Sequence, residues 1–230
     1  YNVIEAATKL GIEKIIFALP KGRILNKSVD LILKSEILPE KEFNNPKSRK
    51  LRFSTNDQDI DLVRIRSSDV PTFVAFGAAD IGIAGQDDIL EQGYSELYMP
   101  LDLKIGICKL VIARSVNLSL KNGNLAASYE KVATKYPNIT KRHFEKIGVQ
   151  ANCIKLNGAI ELAPSLGLCD TIVDIVETGE TLKANGLVEK EKITDISTHL
   201  IVNRTSLKTK PKKINNLIDK FSEIVHGKAA

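Results

Sequence analysis

Tryptophan is absent from the 230-residue sequence, methionine occurs once, and aromatic residues make up only 5% of it. No cluster interleaves aromatic rings with Lys and Arg, which argues against the stacking platforms that grip single-stranded nucleic acid. No apolar run approaches the roughly 20 residues that a membrane-spanning helix needs. The first residues, YNVIEAATKLG, lack the basic start, apolar core and small-residue cleavage site of a secretory signal. The three cysteines, Cys108, Cys153 and Cys169, are widely spaced and set among apolar neighbours. That pattern fits buried thiols in a reducing compartment, and a cytoplasmic location is the expectation. His143, His199 and His226 share no metal-ligand spacing with each other or with the cysteines, so no zinc site is expected.

What is present is a globular composition, 43% hydrophobic and 27% charged, with a formal net charge of +5. Much of the basic excess comes from NPKSRKLR and SLKTKPKK. A basic balance favours anionic partners, and without aromatic platforms small phosphorylated molecules fit better than nucleic acid.

Short β-rich apolar runs alternate with helical patterns, the mark of an α/β protein with mostly parallel sheet. KIIFAL reads as a buried strand, followed by a helix with Leu25, Val29, Ile32 and Leu33 on one face. DLVRI is a strand; Asp69 then offers a cap, Phe73, Val74 and Phe76 apolar contacts, and Gly77 a stop. ADIGIAG reads as a strand and QDDILEQG as a short helix ending at Gly93. LKIGICKLVIAR reads as one long strand, SVNLSLKNGN as a polar connection, and NITKRHFEKIG and AIELAPSLG as helices. KVATKY, ANCIKL and DTIVDIV fall between them; LVEKEKI and STHLIVNR close the sheets, and KINNLIDKFSEIV is an amphipathic tail helix. The pattern divides into two lobes, residues 1–102 plus 196–230 and residues 103–195.

Ligands of open α/β sheets sit beyond the carboxyl ends of the strands. Two strand-to-helix junctions carry suitable chemistry. In ALPKGR, Gly22 admits close backbone approach, and Lys21 and Arg23 place cations at a helix start. The same residues suit a plain turn with solvated charges. In VETGETLKANG, Gly179 permits a tight loop, Thr178 and Thr181 offer hydroxyls, and successive N–H groups can cup an anion. Asp174 and Glu177 look misplaced beside a phosphate, yet suit the hydroxyls of a ribose or a Mg²⁺ riding on phosphates. An ordinary helix cap at Thr178 is the competing reading.

Together ALPKGRI, SSDVPTFVAFGAADIGIAGQD, ATKYPNIT, IELAPSLGLCDTIVDIVETGETLKANGLVE and HLIVNR resemble the ATP phosphoribosyltransferase family. The segments run in family order from Lys14 to Arg204. The resemblance implies two lobes like those of type II periplasmic binding proteins, with the active site in the cleft. It implies that Thr178, Gly179, Glu180, Thr181 and Leu182 hold the 5-phosphate of phosphoribosyl pyrophosphate, and that Asp174 and Glu177 face the ribose. It places Arg23 and Arg49 near the departing pyrophosphate as catalytic groups, and Lys21, Arg66, Asp87 and Glu161 around ATP. Mg²⁺ is implied as a cofactor carried by the pyrophosphate, with no protein metal site.

The length resembles the short form of the family, without a C-terminal regulatory domain. That form implies a homodimer working with a catalytically inactive, histidyl-tRNA-synthetase-like subunit, and no nucleic-acid or membrane partner. The rival readings are a two-lobed solute receptor and a type I base phosphoribosyltransferase; the latter usually has two adjacent acids before the loop, where Val176 and Glu177 stand here.

Overall fold

The computed structural model describes residues 14–116 and 129–227; the connection SVNLSLKNGN lies almost wholly outside them. They divide into two compact units, one formed by the residues up to Gly106 and from Ser197 onward, the other by Ile107–Ile196.

The first unit is built on a six-stranded sheet in the order β2-β3-β1-β4-β11-β5. Its strands are β1 (Ile15–Pro20), β2 (Arg52–Ser54), β3 (Ile60–Ile65), β4 (Ile81–Gly85), β5 (Leu97–Asp102) and β11 (Thr198–Asn203). β3, β1 and β4 run parallel at its centre, whereas β2, β11 and β5 pair antiparallel. The second unit has a five-stranded sheet in the order β10-β6-β9-β7-β8. There β6 (Cys108–Ser115), β7 (Tyr129–Thr134), β8 (Gln150–Lys155), β9 (Thr171–Val176) and β10 (Leu187–Ile196) include a parallel trio, β9-β7-β8. The expected two α/β lobes are present, but each sheet is mixed rather than mostly parallel. Only β2 and β3 are joined by a short return; the other antiparallel pairs bring together strands far apart in sequence, and a strand's own sequence does not encode its partner's direction.

Helix α1 (Arg23–Lys34) buries Leu25, Ser28 and Ile32 on one face. Ser28 fits there because its hydroxyl donates back to the Ile24 carbonyl at 2.7 Å. Leu33, expected on that face, is exposed. The tail helix α7 (Pro211–His226) buries Ile214, Leu217 and Phe221 at the expected spacing, and Phe221 meets Phe17 of β1 edge-on at 5.8 Å. Burying such an aromatic ring contributes about 1.5–3 kcal/mol.

Two polar anchors fix this unit. Asp80, buried, accepts from the Ile16 amide at 2.8 Å and from Lys210 Nζ at 2.9 Å. Asn203 serves two helix ends at once. Its Oδ1 accepts from the Ser206 amide, capping α6 (Arg204–Thr209), and its Nδ2 donates to the Val74 and Ala75 carbonyls that end α2 (Val70–Ala75).

Several expectations meet a different outcome. Phe73 and Phe76 are exposed rather than core residues, and Phe76 lies edge-on to Tyr94 at 5.6 Å. Asp69 does not cap with its side chain; its carboxylate accepts from Ser68 Oγ instead. The run LKIGICKLVIAR is broken, because Lys104 (φ 57°) and Gly106 (φ 63°) turn the backbone between β5 and β6. AIELAPSLG forms only a 3₁₀ turn over Ile160–Leu162, since Pro164 has no N–H to continue the ladder. Cys169 is buried, with burial pushing its thiol above the usual range, while Cys108 and Cys153 are half-buried.

Asp61 is a buried carboxylate on β3 that binds Lys14 Nζ at 3.1 Å and the Arg52 guanidinium at 2.7 Å. Burial pushes its carboxyl up, but the hydrogen bonds and charges of Arg52 and Lys14 outweigh burial and hold it below its ordinary 3.8. A depressed acid contributes stability above its unfolded value and loses it as pH falls through the folded value. Urea unfolding at neutral pH and again below about pH 4 should therefore show a smaller acid loss for Asp61→Asn than for the parent. At neutral pH the same variant should be weaker by about 1–3 kcal/mol, the cost of losing charge-assisted bonds.

Candidate active site

In the first unit the candidates gather at the carboxyl ends of the central parallel strands. β1 and β3 end side by side, Pro20 opposite Ile65, and β4 runs parallel on the other flank of β1. Lys21, Gly22 and Arg23 follow β1, Arg66 follows β3, and Asp87 follows β4. The Lys21 amide donates to the Ile65 carbonyl at 2.7 Å, which ties two of these loops together. Gly22, the N-cap of α1, has φ 84° and ψ −146° with nothing within 4 Å of a built Cβ. Its requirement is conformational, because that backbone region is essentially restricted to glycine. Lys21, Arg23 and Arg66 are exposed.

Arg49 reaches the same strand ends by another route. β2 runs antiparallel to β3, with Arg52 opposite Val63, and the Arg64 amide donates to the Leu51 carbonyl at 2.8 Å. The chain before Leu51, including Arg49, therefore lies at the carboxyl end of β3. The structure thus brings the backbone of four cationic residues, Lys21, Arg23, Arg49 and Arg66, to the carboxyl ends of β1 and β3.

Asp87 is buried in the first turn of α3 (Gln86–Gln92). A Cβ on Gly85 would stand 2.2 Å from the Asp87 Oδ1 and 3.8 Å from Ile24 Cδ1. Gly85 is thus the space into which the carboxylate folds. Gly85→Ala should expel that carboxylate, costing about 1–3 kcal/mol by overpacking; a thermal melt at the parent's midpoint would contradict this.

In the second unit, β9 delivers the loop Glu177–Gly179 and the short helix α5 (Glu180–Ala184). Gly179 is left-handed at φ 82° and ψ 0°. Thr178 Oγ1 accepts from the Glu180 amide at 3.4 Å, and Thr178, Glu180 and Thr181 are exposed. Leu182 differs from its neighbours: its side chain is buried among Val176 and Leu187, so it pins the helix and offers only its backbone to a ligand. Asp174 is half-buried near the end of β9, with Oδ1 accepting from the Ile175 amide at 2.8 Å, and Glu177 is exposed. Glu161 is half-buried in the loop after β8, the far strand of the parallel trio, behind Ala159 in a left-handed turn (φ 52°). Both candidate sets therefore occupy carboxyl ends of parallel strands within their own units.

Inspection of the motifs missed Arg64, whose guanidinium sits 5.4 Å from the Phe43 ring centroid and 4.9 Å from that of Phe53. The signal was present: Ile60, Leu62 and Arg64 alternate on one face of β3, which puts a cation in line with core residues. Among the described residues no three His, Cys, Asp or Glu side chains gather as a metal-holding group, and no helix is long and apolar enough to cross a membrane.

Glycine-shaped loops at strand ends, with cations in one unit and hydroxyls beside acids in the other, define an α/β protein suited to phosphorylated sugar ligands. Comparison with known proteins narrows the class. Residues 66–223 match the family model described as ATP phosphoribosyltransferase. An ATP phosphoribosyltransferase of Rhodospirillum rubrum is 54% identical over 220 residues, covering 96% of this chain and 97% of that protein. One from Paramagnetospirillum magneticum is 53% identical, covering 94% and 98% respectively. A solved ATP phosphoribosyl transferase (HisG:HisZ) complex from Thermotoga maritima contains a chain with TM-score 0.79 at 35% identity, covering 92% of this chain and 98% of that one. The chain belongs to the ATP phosphoribosyltransferase family, and is a pentosyltransferase of the first step of histidine biosynthesis.

Proposed function

We propose that the chain joins N1 of ATP to C1 of 5-phosphoribosyl 1-pyrophosphate, releasing pyrophosphate and forming N1-(5-phosphoribosyl)-ATP with inversion. The observation that carries this reading is the left-handed Gly179 between Thr178 and Glu180, in the loop that follows β9, with Asp174 near the end of that strand and Glu177 just past it. First-turn N–H groups of α5 and the Thr178 and Thr181 hydroxyls take the 5-phosphate, while the two carboxylates accept from the ribose hydroxyls.

Adenine N1 carries a lone pair and no proton at neutral pH, so the attack needs no general base. The harder requirement is charge: the C1–O bond breaks with its electron pair leaving on pyrophosphate, while C1 becomes oxocarbenium-like. Arg23 and Arg49 stabilise the leaving oxygens, and Lys21, Arg66, Asp87 and Glu161 hold the nucleotide. Bound Mg²⁺ would neutralise pyrophosphate charge, and the oxygen donors Asp174 and Glu177 suit an ion that keeps most of its ligands on the substrate.

The chain is read as the short form, a cytoplasmic homodimer assembling with a histidyl-tRNA-synthetase-like subunit through which histidine acts. Its near-complete coverage of a chain from a two-component complex supports that reading. The test is an acceptor panel: purified protein, phosphoribosyl pyrophosphate and Mg²⁺ with ATP, adenine, guanine or hypoxanthine, alone and with the partner subunit. Absorbance of N1-substituted adenine with ATP alone is expected. Transfer to a free base would make it a base phosphoribosyltransferase, and tight binding without turnover would make it a receptor.

A further inference from the structure

The segment that carries Arg49 has no strand or α-helix of its own. It runs from a 3₁₀ turn at Lys41–Asn44 through consecutive turns: the Asn45 amide donates to Glu42 O at 3.1 Å, that of Ser48 to Asn45 O at 3.1 Å, and that of Lys50 to Ser48 Oγ at 3.2 Å. Local turns of this kind do not fix an exposed side chain by themselves. Both ends of the segment nevertheless meet one residue. At one end, Arg64 Nη1 donates to the Phe43 carbonyl at 3.1 Å, with its guanidinium against the Phe43 ring. At the other, the Arg64 amide donates to the Leu51 carbonyl at 2.8 Å, while the guanidinium also lies over Phe53, two residues further on. Phe43 and Phe53 are buried and meet edge-on at 5.1 Å, so Arg64 is held on a rigid pair of rings. Lys50 Nζ, 5.9 Å from the Phe53 centroid and paired with Glu40, draws the segment to the same cluster.

We propose that Arg64 is a positioning residue: it clamps the 43–51 segment at both ends and so sets where Arg49 presents its charge. The proposal rests on the reading of Arg49 as a group that stabilises the departing pyrophosphate. A planar, delocalised guanidinium stacks on two rings and still donates in plane, which a lysine ammonium cannot do. Arg64→Lys keeps the charge and the backbone bond to Leu51 but loses the guanidinium's bond to the Phe43 carbonyl and its stacking on both rings.

The test compares the parent, Arg64→Lys, Arg64→Met, Arg49→Ala and the Arg49→Ala/Arg64→Lys double variant. A misplaced catalytic charge costs up to about a hundredfold in rate, so Arg64→Lys should lower kcat by at least about tenfold with KM for phosphoribosyl pyrophosphate within about threefold of parent. In the Arg49→Ala background the same change should leave kcat unaltered, because its effect runs through Arg49. Brief trypsin digestion supplies a readout independent of turnover: both Arg64 variants should be cut after Lys47, Arg49 or Lys50 about tenfold faster, with other sites cut at parent rate. Parent kcat in Arg64→Lys, an equal loss in both backgrounds, or unchanged cleavage in the 47–50 window would each overturn the proposal. Parent kcat in Arg49→Ala would instead sink the role of Arg49, leaving the trypsin rates to decide the clamp; should Arg64→Met fail to fold, Arg64→Lys carries both readouts.

Discussion

Arg49→Ala lowers kcat by about 10²- to 10³-fold, the usual cost of removing one donor aimed at developing transition-state charge. ATP affinity should change by less than about fivefold, since an exposed charge contributes about 1 kcal/mol or less to ground-state binding. The asymmetry follows from where the arginine stands. Arg49 is exposed, on a segment brought to the carboxyl end of β3 through the bond from the Arg64 amide to Leu51. There it adds a fourth cation to Lys21, Arg23 and Arg66, and the proposed reaction needs positive charge beside the departing pyrophosphate. Pre-steady-state turnover with a separate measurement of ATP binding distinguishes the cases. Equal losses in kcat and affinity would make Arg49 a general binding residue, and no loss in kcat would remove it from the chemistry.

Gly179→Val should raise KM for phosphoribosyl pyrophosphate by about a hundredfold, with ATP binding unchanged. The reason is backbone geometry and not space. Only Val176 Cγ1 comes within 4 Å of a built Cβ, at 3.9 Å, yet φ is 82°. A β-branched residue in that region is strained by about 1–3 kcal/mol, and relieving the strain would turn the loop's N–H groups away from the proposed phosphate position. Asparagine tolerates the left-handed region, so Gly179→Asn should recover most of the affinity. Isothermal titration of each variant with phosphoribosyl pyrophosphate reads this directly. Equal weakening by Val and Asn would mean that bulk at the loop, not its conformation, controls binding.

Much of this fold is legible in the sequence because its signals are local. KIIFAL, DLVRI, ADIGIAG and DTIVDIV are apolar and β-branched, and a glycine stands at or just past the strand end in three of the four, Gly22, Gly85 and Gly179. The alternation of buried Ile214, Leu217 and Phe221 likewise announces the tail helix. What is not local does not show. The antiparallel pairing of β11 with β4 and β5 depends on where the chain returns, and β2 has only three residues. Phe76 fits an apolar helical face but stands at its C-cap, where the turn carries it into solvent.

The site shows the same division. Gly22 and Gly179 announce themselves because their positive-φ backbone demands glycine. Arg49 is visible only through the family resemblance, since its position depends on the pairing of β2 with β3 and on two buried rings. Leu182 sits inside a binding motif yet serves the core, because the first turn of α5 must be fastened to the sheet it leaves.

The N1–C1 bond of the product decides the proposed reaction most directly. The protein, with the partner subunit present, is incubated with Mg²⁺, phosphoribosyl pyrophosphate labelled with ¹³C at C1, and ATP labelled with ¹⁵N at N1 of adenine. The product is then examined by NMR. A one-bond coupling between the two labels, appearing with release of pyrophosphate, is the predicted result. Pyrophosphate release without that coupling, or a label bonded to any other acceptor atom, would contradict it.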